Sequence, residues 1–188
     1  MNRKVILAVV MVVIAITILA LAGVAGAASP KAALAGSVPT WAKAANFKSA
    51  TGATQQIGFR VYLNWRDVAG AEAFAQAVSD PASPSYGHYL TPEQFRQRFS
   101  PTAADLKAVR TWLADQGFSL VYTPANAHYV TAEGSVAQAE AAFGAQLNEY
   151  AVQGKTLRAP ATALTVPATL AGVVAGVVGV DELSLIHI

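Results

Sequence analysis

The sequence predicts an α+β fold, an antiparallel sheet with helices packed on one face, preceded by an N-terminal hydrophobic signal helix. Three observations predict it. Residues 57–63 alternate apolar and polar side chains with the period of a half-buried strand. Later segments place apolar residues three and four apart between recognisable helix caps. The two kinds of segment then follow one another as β-α-α-α-β-β-α-β with a hairpin return. A helix thus follows the first strand and another the third, a split β-α-β arrangement.

The elements run in order as follows. Order begins near Gln56, where Ile57, Phe59, Val61 and Leu63 alternate with Gly58, Arg60, Tyr62 and Asn64. A short helix over 69–78 places Phe74, Ala77 and Val78 on one face and stops at Ser79-Asp80-Pro81, because proline disfavours helical geometry in the residue before it. After a loop, Thr91-Pro92-Glu93-Gln94 supplies an N-cap, a first-turn proline and a capping-box glutamine, opening a helix with Phe95 and Phe99 on one face. Ser100-Pro101 ends it, and residues 104–116 carry Leu106, Val109, Trp112 and Leu113 at helical spacing, closed by Gly117. Strands are predicted over 118–123 and 128–132. Ser135 caps a helix with Val136, Ala139 and Phe143 inward, ended by Gly144. Residues 146–152 read as the next strand, turning at Gln153-Gly154-Lys155 into a short return over 156–158. The apolar run 165–180 reads as a short helix followed by a strand that packs on the sheet. Its Gly172 and Gly176 form a GxxxG too isolated to argue a membrane helix.

Ahead of this body lie two further segments. Residues 5–22 carry no charge and one polar side chain, Thr17; Arg3 and Lys4 precede them, and Ala25-Gly26-Ala27 follows as an A-x-A exit. That is the pattern of a secretory signal peptide over residues 1–28. Eighteen apolar residues also reach the lower limit for a bilayer span, so an uncleaved anchor through 5–22 is the alternative. In both cases everything after residue 28 lies outside the cytoplasm. Residues 29–54, rich in Ala, Ser, Gly and Lys and broken by Pro30 and Pro39, read as a flexible lead-in with Trp41 and Phe47 as its large apolar side chains.

Composition excludes several classes. The formal charge is +2, from 13 basic and 11 acidic residues; without Arg3 and Lys4 the exported part is neutral, with no basic stripe for nucleic acid. There is no cysteine, hence no disulfide, thiol chemistry or cysteine metal site. His88, His128 and His187 have no metal-ligand spacing, and ordinary surface or core histidines are the commoner case. No serine sits in a G-x-S-x-G context, and there is no Walker A, HExxH or EF-hand loop.

One set of residues says more. Val78-Ser79-Asp80-Pro81, Ser83-Pro84-Ser85-Tyr86-Gly87 and Tyr89-Leu90-Thr91-Pro92-Glu93-Gln94-Phe95 are similar to the "SDP.SP.YG.YLT..EF" run of the activation propeptides of the sedolisin family, the serine-carboxyl peptidases that include kumamolisin and the tripeptidyl peptidases. Supporting matches follow in order. They are Phe99-Ser100-Pro101, Val109 with Trp112-Leu113 and Gly117, Val136 with residues 140–144, and Val166-Pro167-Ala168 with Leu170 and Gly179-Val180-Asp181. The resemblance spans residues 56–181, with Gln94 where an acid is common.

The resemblance implies a ferredoxin-like, subtilisin-propeptide-like domain over 55–181 that helps a catalytic domain fold and holds it inactive until acid-triggered cleavage. It implies a sheet face docked on the enzyme and a carboxyl-terminal tail crossing its cleft. The partner is the cognate sedolisin-type catalytic domain, in cis or in trans, with no nucleic acid, and with a membrane only if the leader is uncleaved. Calcium would belong to that catalytic domain; this chain carries no catalytic, cofactor or metal residue of the family pattern. Residues 182–188 read as a truncated or aberrant tail. Two alternatives stand beside the propeptide: the front of a full peptidase precursor, and a standalone secreted inhibitor acting in trans.

The candidate contact residues are Asp80, Pro81, Pro84, Tyr86, Gly87, Tyr89, Leu90 and Phe95, although prolines and Gly87 shaping a turn under packed tyrosines would explain them without a partner. His88, which titrates near neutrality, and Glu93, whose ion pairs fail in acid, are the candidates for acid sensing. Asp105, Glu133, Glu140 and Glu149 share the second chemistry, against a plain solvated role.

Overall fold

The computed structural model describes residues 30–182. The signal segment and residues 183–188 lie outside the described residues. Among those described, no helix is long and apolar enough to cross a membrane.

The alternating run becomes β3 (Gln56–Leu63), whose Ile57, Phe59, Val61 and Leu63 are buried while Gly58 and Arg60 face out. Strand β3 is central to a four-stranded antiparallel sheet of order β4-β5-β3-β9, with β4 (Ser119–Tyr122), β5 (Tyr129–Ser135) and β9 (Val174–Val178). Its register pairs Phe59 with Ala132 and Val61 with Val130 on β5, and Val61 with Val177 on β9. Because side chains alternate across a strand, this register gathers the apolar sets of β3 and β5 on one side.

Between β3 and β4 run α1 (Val68–Ser79), α2 (Pro92–Phe99) and α3 (Ala103–Asp115); α4 (Val136–Phe143) follows β5 directly. The predicted capping box forms at Thr91/Gln94, the predicted N-cap Ser135 forms one with Gln138, and a third forms at Thr102/Asp105. The core lies where Val109 and Leu113 of α3 and Val136, Ala139 and Phe143 of α4 meet the inward face of β3 and β5. There Phe59 packs edge-to-face on Phe118 and Phe143, with ring centroids 4.9 and 5.4 Å apart.

Three sequence expectations need correction. The lead-in carries structure: β1 (Lys31–Ala33) pairs with β8 (Thr165–Pro167), a 3-10 turn covers Ala44–Asn46, and β2 (Phe47–Ala50) pairs with β6 (Leu147–Val152). These strands are short and mostly exposed, so they lack the alternation that reveals a strand, and their partners lie far off in sequence. The strand over 147–152 does not extend the main sheet; with β7 (Lys155–Pro160) and β2 it forms a separate sheet of order β2-β6-β7. The fourth place in the main sheet goes to β9, from the apolar run read as a short helix and a strand; the helix is a 3-10 turn at Ala168–Leu170. Finally, Glu182, assigned to the tail, is fastened to β7 through Arg158.

The candidate docking face

Among the described residues, the helices that share the core of the main sheet, α3 and α4, pack on its inward side, and its opposite face carries a row of aromatic side chains. Tyr62 on β3 sits opposite Tyr129 on β5, their ring centroids 5.3 Å apart; Tyr122 on β4 meets Tyr129 at 6.1 Å. The guanidinium of Arg60 stands over the Tyr129 ring at 5.0 Å, a cation–π contact that holds both side chains in place. Tyr122 and Val178, at opposite edges, are both more than half exposed. Beside Tyr62 a groove of about 220 Å³ opens between β9 and the loop at Leu34–Ser37. Tyrosines supported in this way offer large amphipathic area at little ordering cost, the side-chain type that anchors protein interfaces.

The row continues around the sheet's end. Tyr62 meets His128 edge-on at 5.4 Å, His128 stacks on Trp65 at 3.9 Å, and Trp65 meets Phe95 of α2 edge-on at 5.2 Å. The His128 Nδ1 is buried and has no hydrogen-bond partner, and burial pushes its imidazole below the ordinary range. Phe95, a predicted contact residue, is half-buried and joins the motif loop to the open face of the sheet.

The motif loop itself is rigid by internal hydrogen bonds. The Asp80 carboxylate accepts from the Ala82 N–H at 2.8 Å, and the Ser83 hydroxyl from the Ser85 N–H at 3.1 Å. The Gly87 N–H donates back to the Val78 carbonyl at 3.0 Å. Gly87 has φ +73°, which a residue with a Cβ adopts only at a cost, so the family's glycine has a local reason. Pro81 and Pro84 are exposed and Leu90 half-buried. Tyr86 and Tyr89 do not pack over the turn: they are 52% and 70% exposed. With so little buried beneath them, the fold alone does not account for two aromatic side chains here.

The two acid-sensing candidates separate. His88 is exposed on the loop, whereas Glu93 accepts hydrogen bonds from Arg96 and Gln97. Those bonds and the Arg96 charge hold its carboxyl below the usual range. Asp105, Glu140 and Glu149 act locally: Asp105 completes a capping box, Glu140 accepts from the Leu147 N–H, and Glu149 accepts from Ser49. Glu133 is exposed on the open face. Sequence reasoning missed Tyr62, Trp65, Tyr122, Tyr129 and His128. The available signal was three tyrosines at the polar positions of the strand pattern, where charged or small residues are the ordinary choice. Among the described residues no three His, Asp or Glu side chains gather as a metal site needs.

A family model described as "Pro-kumamolisin, activation domain" matches residues 28–183. Sedolisin from Pseudomonas sp. (strain 101) is 33% identical over 127 residues, covering 68% of this chain and 22% of that protein. Xanthomonalisin from Xanthomonas sp. (strain T-22) is 29% identical over 135 residues, 72% of this chain and 16% of its own length. Tripeptidyl-peptidase 1 of Homo sapiens is 31% identical over 97 residues, 51% of this chain and 17% of its own. The chain therefore spans about a fifth or less of the curated relatives it matches.

Proposed function

The chain belongs to the pro-kumamolisin activation domain family, and from that premise we propose that it is the propeptide of a secreted, acid-activated serine-carboxyl endopeptidase of the sedolisin type. In this reading it assists folding of the catalytic domain, holds it inactive, and is removed by proteolysis. It performs no hydrolysis itself, and calcium belongs to the enzyme it guards. Export runs through the leader over residues 1–28.

The observation that carries the reading is the tyrosine row Tyr122, Tyr129 and Tyr62 on the outward face of the main sheet, braced by Arg60. Its partner is the catalytic domain, in cis within a precursor or in trans. A preorganised face loses little freedom on docking, so most of its contact energy appears as affinity. The second contact is the motif loop, where Asp80, Pro81, Pro84 and Gly87 hold Tyr86 and Tyr89 toward solvent, and Leu90 and Phe95 tie the loop to the body. The strand order β4-β5-β3-β9, with its helix after β3 and another after β5, supports the ferredoxin-like reading of the fold.

The test is direct. The full chain is titrated into the mature catalytic domain of Sedolisin from Pseudomonas sp. (strain 101) while hydrolysis of a peptide substrate is followed. Saturable inhibition that weakens as the pH falls is expected. Absence of both inhibition and binding, by a chain that melts cooperatively, would overturn the reading.

A further inference from the structure

We propose that the outward face of α3 is an interface between two copies of this chain, packed antiparallel about a two-fold axis beside Thr111. The inference goes beyond the propeptide reading and does not depend on it.

The face is built by helical spacing. Val109 and Leu113 of α3 are buried in the core, with Leu106 and Trp112 packed against it. The opposite side carries Lys107, Thr111 and Asp115, all exposed. Residues four apart on a helix stand in one ridge. A groove runs along each flank of this ridge. The larger, of about 470 Å³, lies between Ala104, Ala108 and Trp112 on the helix and Pro167 and Leu170 beside it. The smaller, of about 340 Å³, is lined by Ala103, Leu106, Arg110 and Ala114. Helices pack by seating a ridge of this kind in such a groove, and alanines at the contact let the two axes approach closely. The face of α3 therefore presents both halves of a helix joint, ridge and groove, side by side.

The charges select the occupant. Among the described residues neither Lys107 nor Asp115 is in an ion pair. Asp115 also stands where a helix disfavours it. In the last turn its carboxylate meets the negative end of the helix dipole, and no basic residue of that turn answers it. Lys107 and Asp115 lie four residues to either side of Thr111. A second α3 running antiparallel thus brings Lys107 of each copy to Asp115 of the other, while each ridge enters the other's larger groove. An unrelated partner would have to supply an acid and a base about 12 Å apart along its own axis. A second copy supplies them by symmetry. Without Arg3 and Lys4 the chain is formally neutral, so two copies meet without net repulsion. The tyrosine row lies on the other side of the sheet from α3 and stays free in the pair.

The joint lies at the small end of interface size, so its copies exchange quickly and the contact is read by trapping. The chain has no cysteine, so Thr111→Cys in the full chain places one thiol beside the axis. The readout is the rate of disulfide-linked dimer formation under a mild oxidant. Ala125→Cys, an exposed position between β4 and β5, is the reference for chance collision. Thr111→Cys is expected to link about tenfold or more faster. Adding Lys107→Glu leaves an acid at both charged positions, and adding Asp115→Lys leaves a base at both. Each should slow linking about tenfold or more, since two attractions become two repulsions. Mixing these two variants should restore the rate to within about twofold of Thr111→Cys alone, because every pair across the axis is again opposite in charge. The same mixture carrying Ala125→Cys instead should stay at the reference rate. All four positions are exposed, so the variants keep the fold, which thermal melts check. Equal linking at Thr111→Cys and Ala125→Cys, or a mixture no faster than its components, would overturn the interface and leave the propeptide reading intact.

Discussion

His128 lies flat against Trp65, their ring centroids 3.9 Å apart and their planes 2° from parallel. The stack leaves Nδ1 buried without a partner, and burial disfavours the charged imidazole. The consequence for pH has a definite sign. In the unfolded chain this histidine takes a proton near its ordinary value of 6.5, whereas the folded domain resists it. Below that value the unfolded state binds more protons, so stability is full above it and falls as pH drops through the lowered folded value. His128→Phe, which keeps a flat ring against Trp65, should flatten the slope of urea midpoint against pH from 6.5 downward. An unchanged slope would remove His128 as a cause.

Glu93 acts in a lower window. Its carboxyl is held below the ordinary value of 4.5 by hydrogen bonds from Arg96 and Gln97 and by the Arg96 charge. That contribution is present above 4.5 and is lost as pH falls through the depressed value. The group is solvent-exposed, so the effect is small and screened by salt. Glu93→Gln should leave the melting temperature at neutral pH nearly unchanged and reduce the fall in melting temperature below pH 4.5. Equal falls in both proteins would show that the pair contributes nothing.

The central core makes a stronger claim. Phe143 is 1% exposed and meets Phe59, Phe118 and Trp112 with ring centroids between 5.4 and 6.4 Å. Phe143→Ala removes the ring and leaves a cavity between α3, α4 and the sheet, at a cost of about 3–5 kcal/mol. Urea unfolding with an unchanged m-value should show that loss. A loss under about 1 kcal/mol would mean the core closes around the gap, contrary to the packing seen here.

Local signals in the sequence were enough for β3, for the four described helices, for the N-caps Thr91 and Ser135 and for the closing Gly117 and Gly144, because alternation and capping residues are written within a few residues; the N-caps Asp67 and Thr102 went unread. Strands β1, β2 and β8 were not legible: Lys31–Ala33 and Phe47–Ala50 become strands only through partners more than 90 residues away. The same non-locality hid the site. Residues 80–95 were recognisable from the run of prolines, glycine and tyrosines, but the row Tyr122–Tyr129–Tyr62 exists only once three strands are in register. Nor does any local pattern set His128 apart from His88; burial against Trp65 does so, and that is a tertiary fact. Arg158 reads in sequence as an ordinary strand-edge residue, since the groups that answer its charge lie 22 and 24 residues later.

The last prediction separates the two contact surfaces. Tyr86 and Tyr89 are exposed on a loop whose shape is held by Asp80, Ser83 and Gly87, so the double variant Tyr86→Ala/Tyr89→Ala should change stability by no more than about 0.5 kcal/mol. Tyr122→Ala likewise removes an exposed side chain at the sheet edge. If both surfaces touch the catalytic domain, each variant should weaken binding by about 1–2 kcal/mol, and the three substitutions together should give nearly the sum, since the loop and the far edge of the sheet share no partner. Binding titrations of the three variants against one peptidase domain, beside thermal melts of the free chains, check this. A loop variant that binds as wild type while Tyr122→Ala does not would assign docking to the sheet alone, and the exposed loop tyrosines would then need another explanation. The reverse result would move the contact to the loop and leave the tyrosine row as surface.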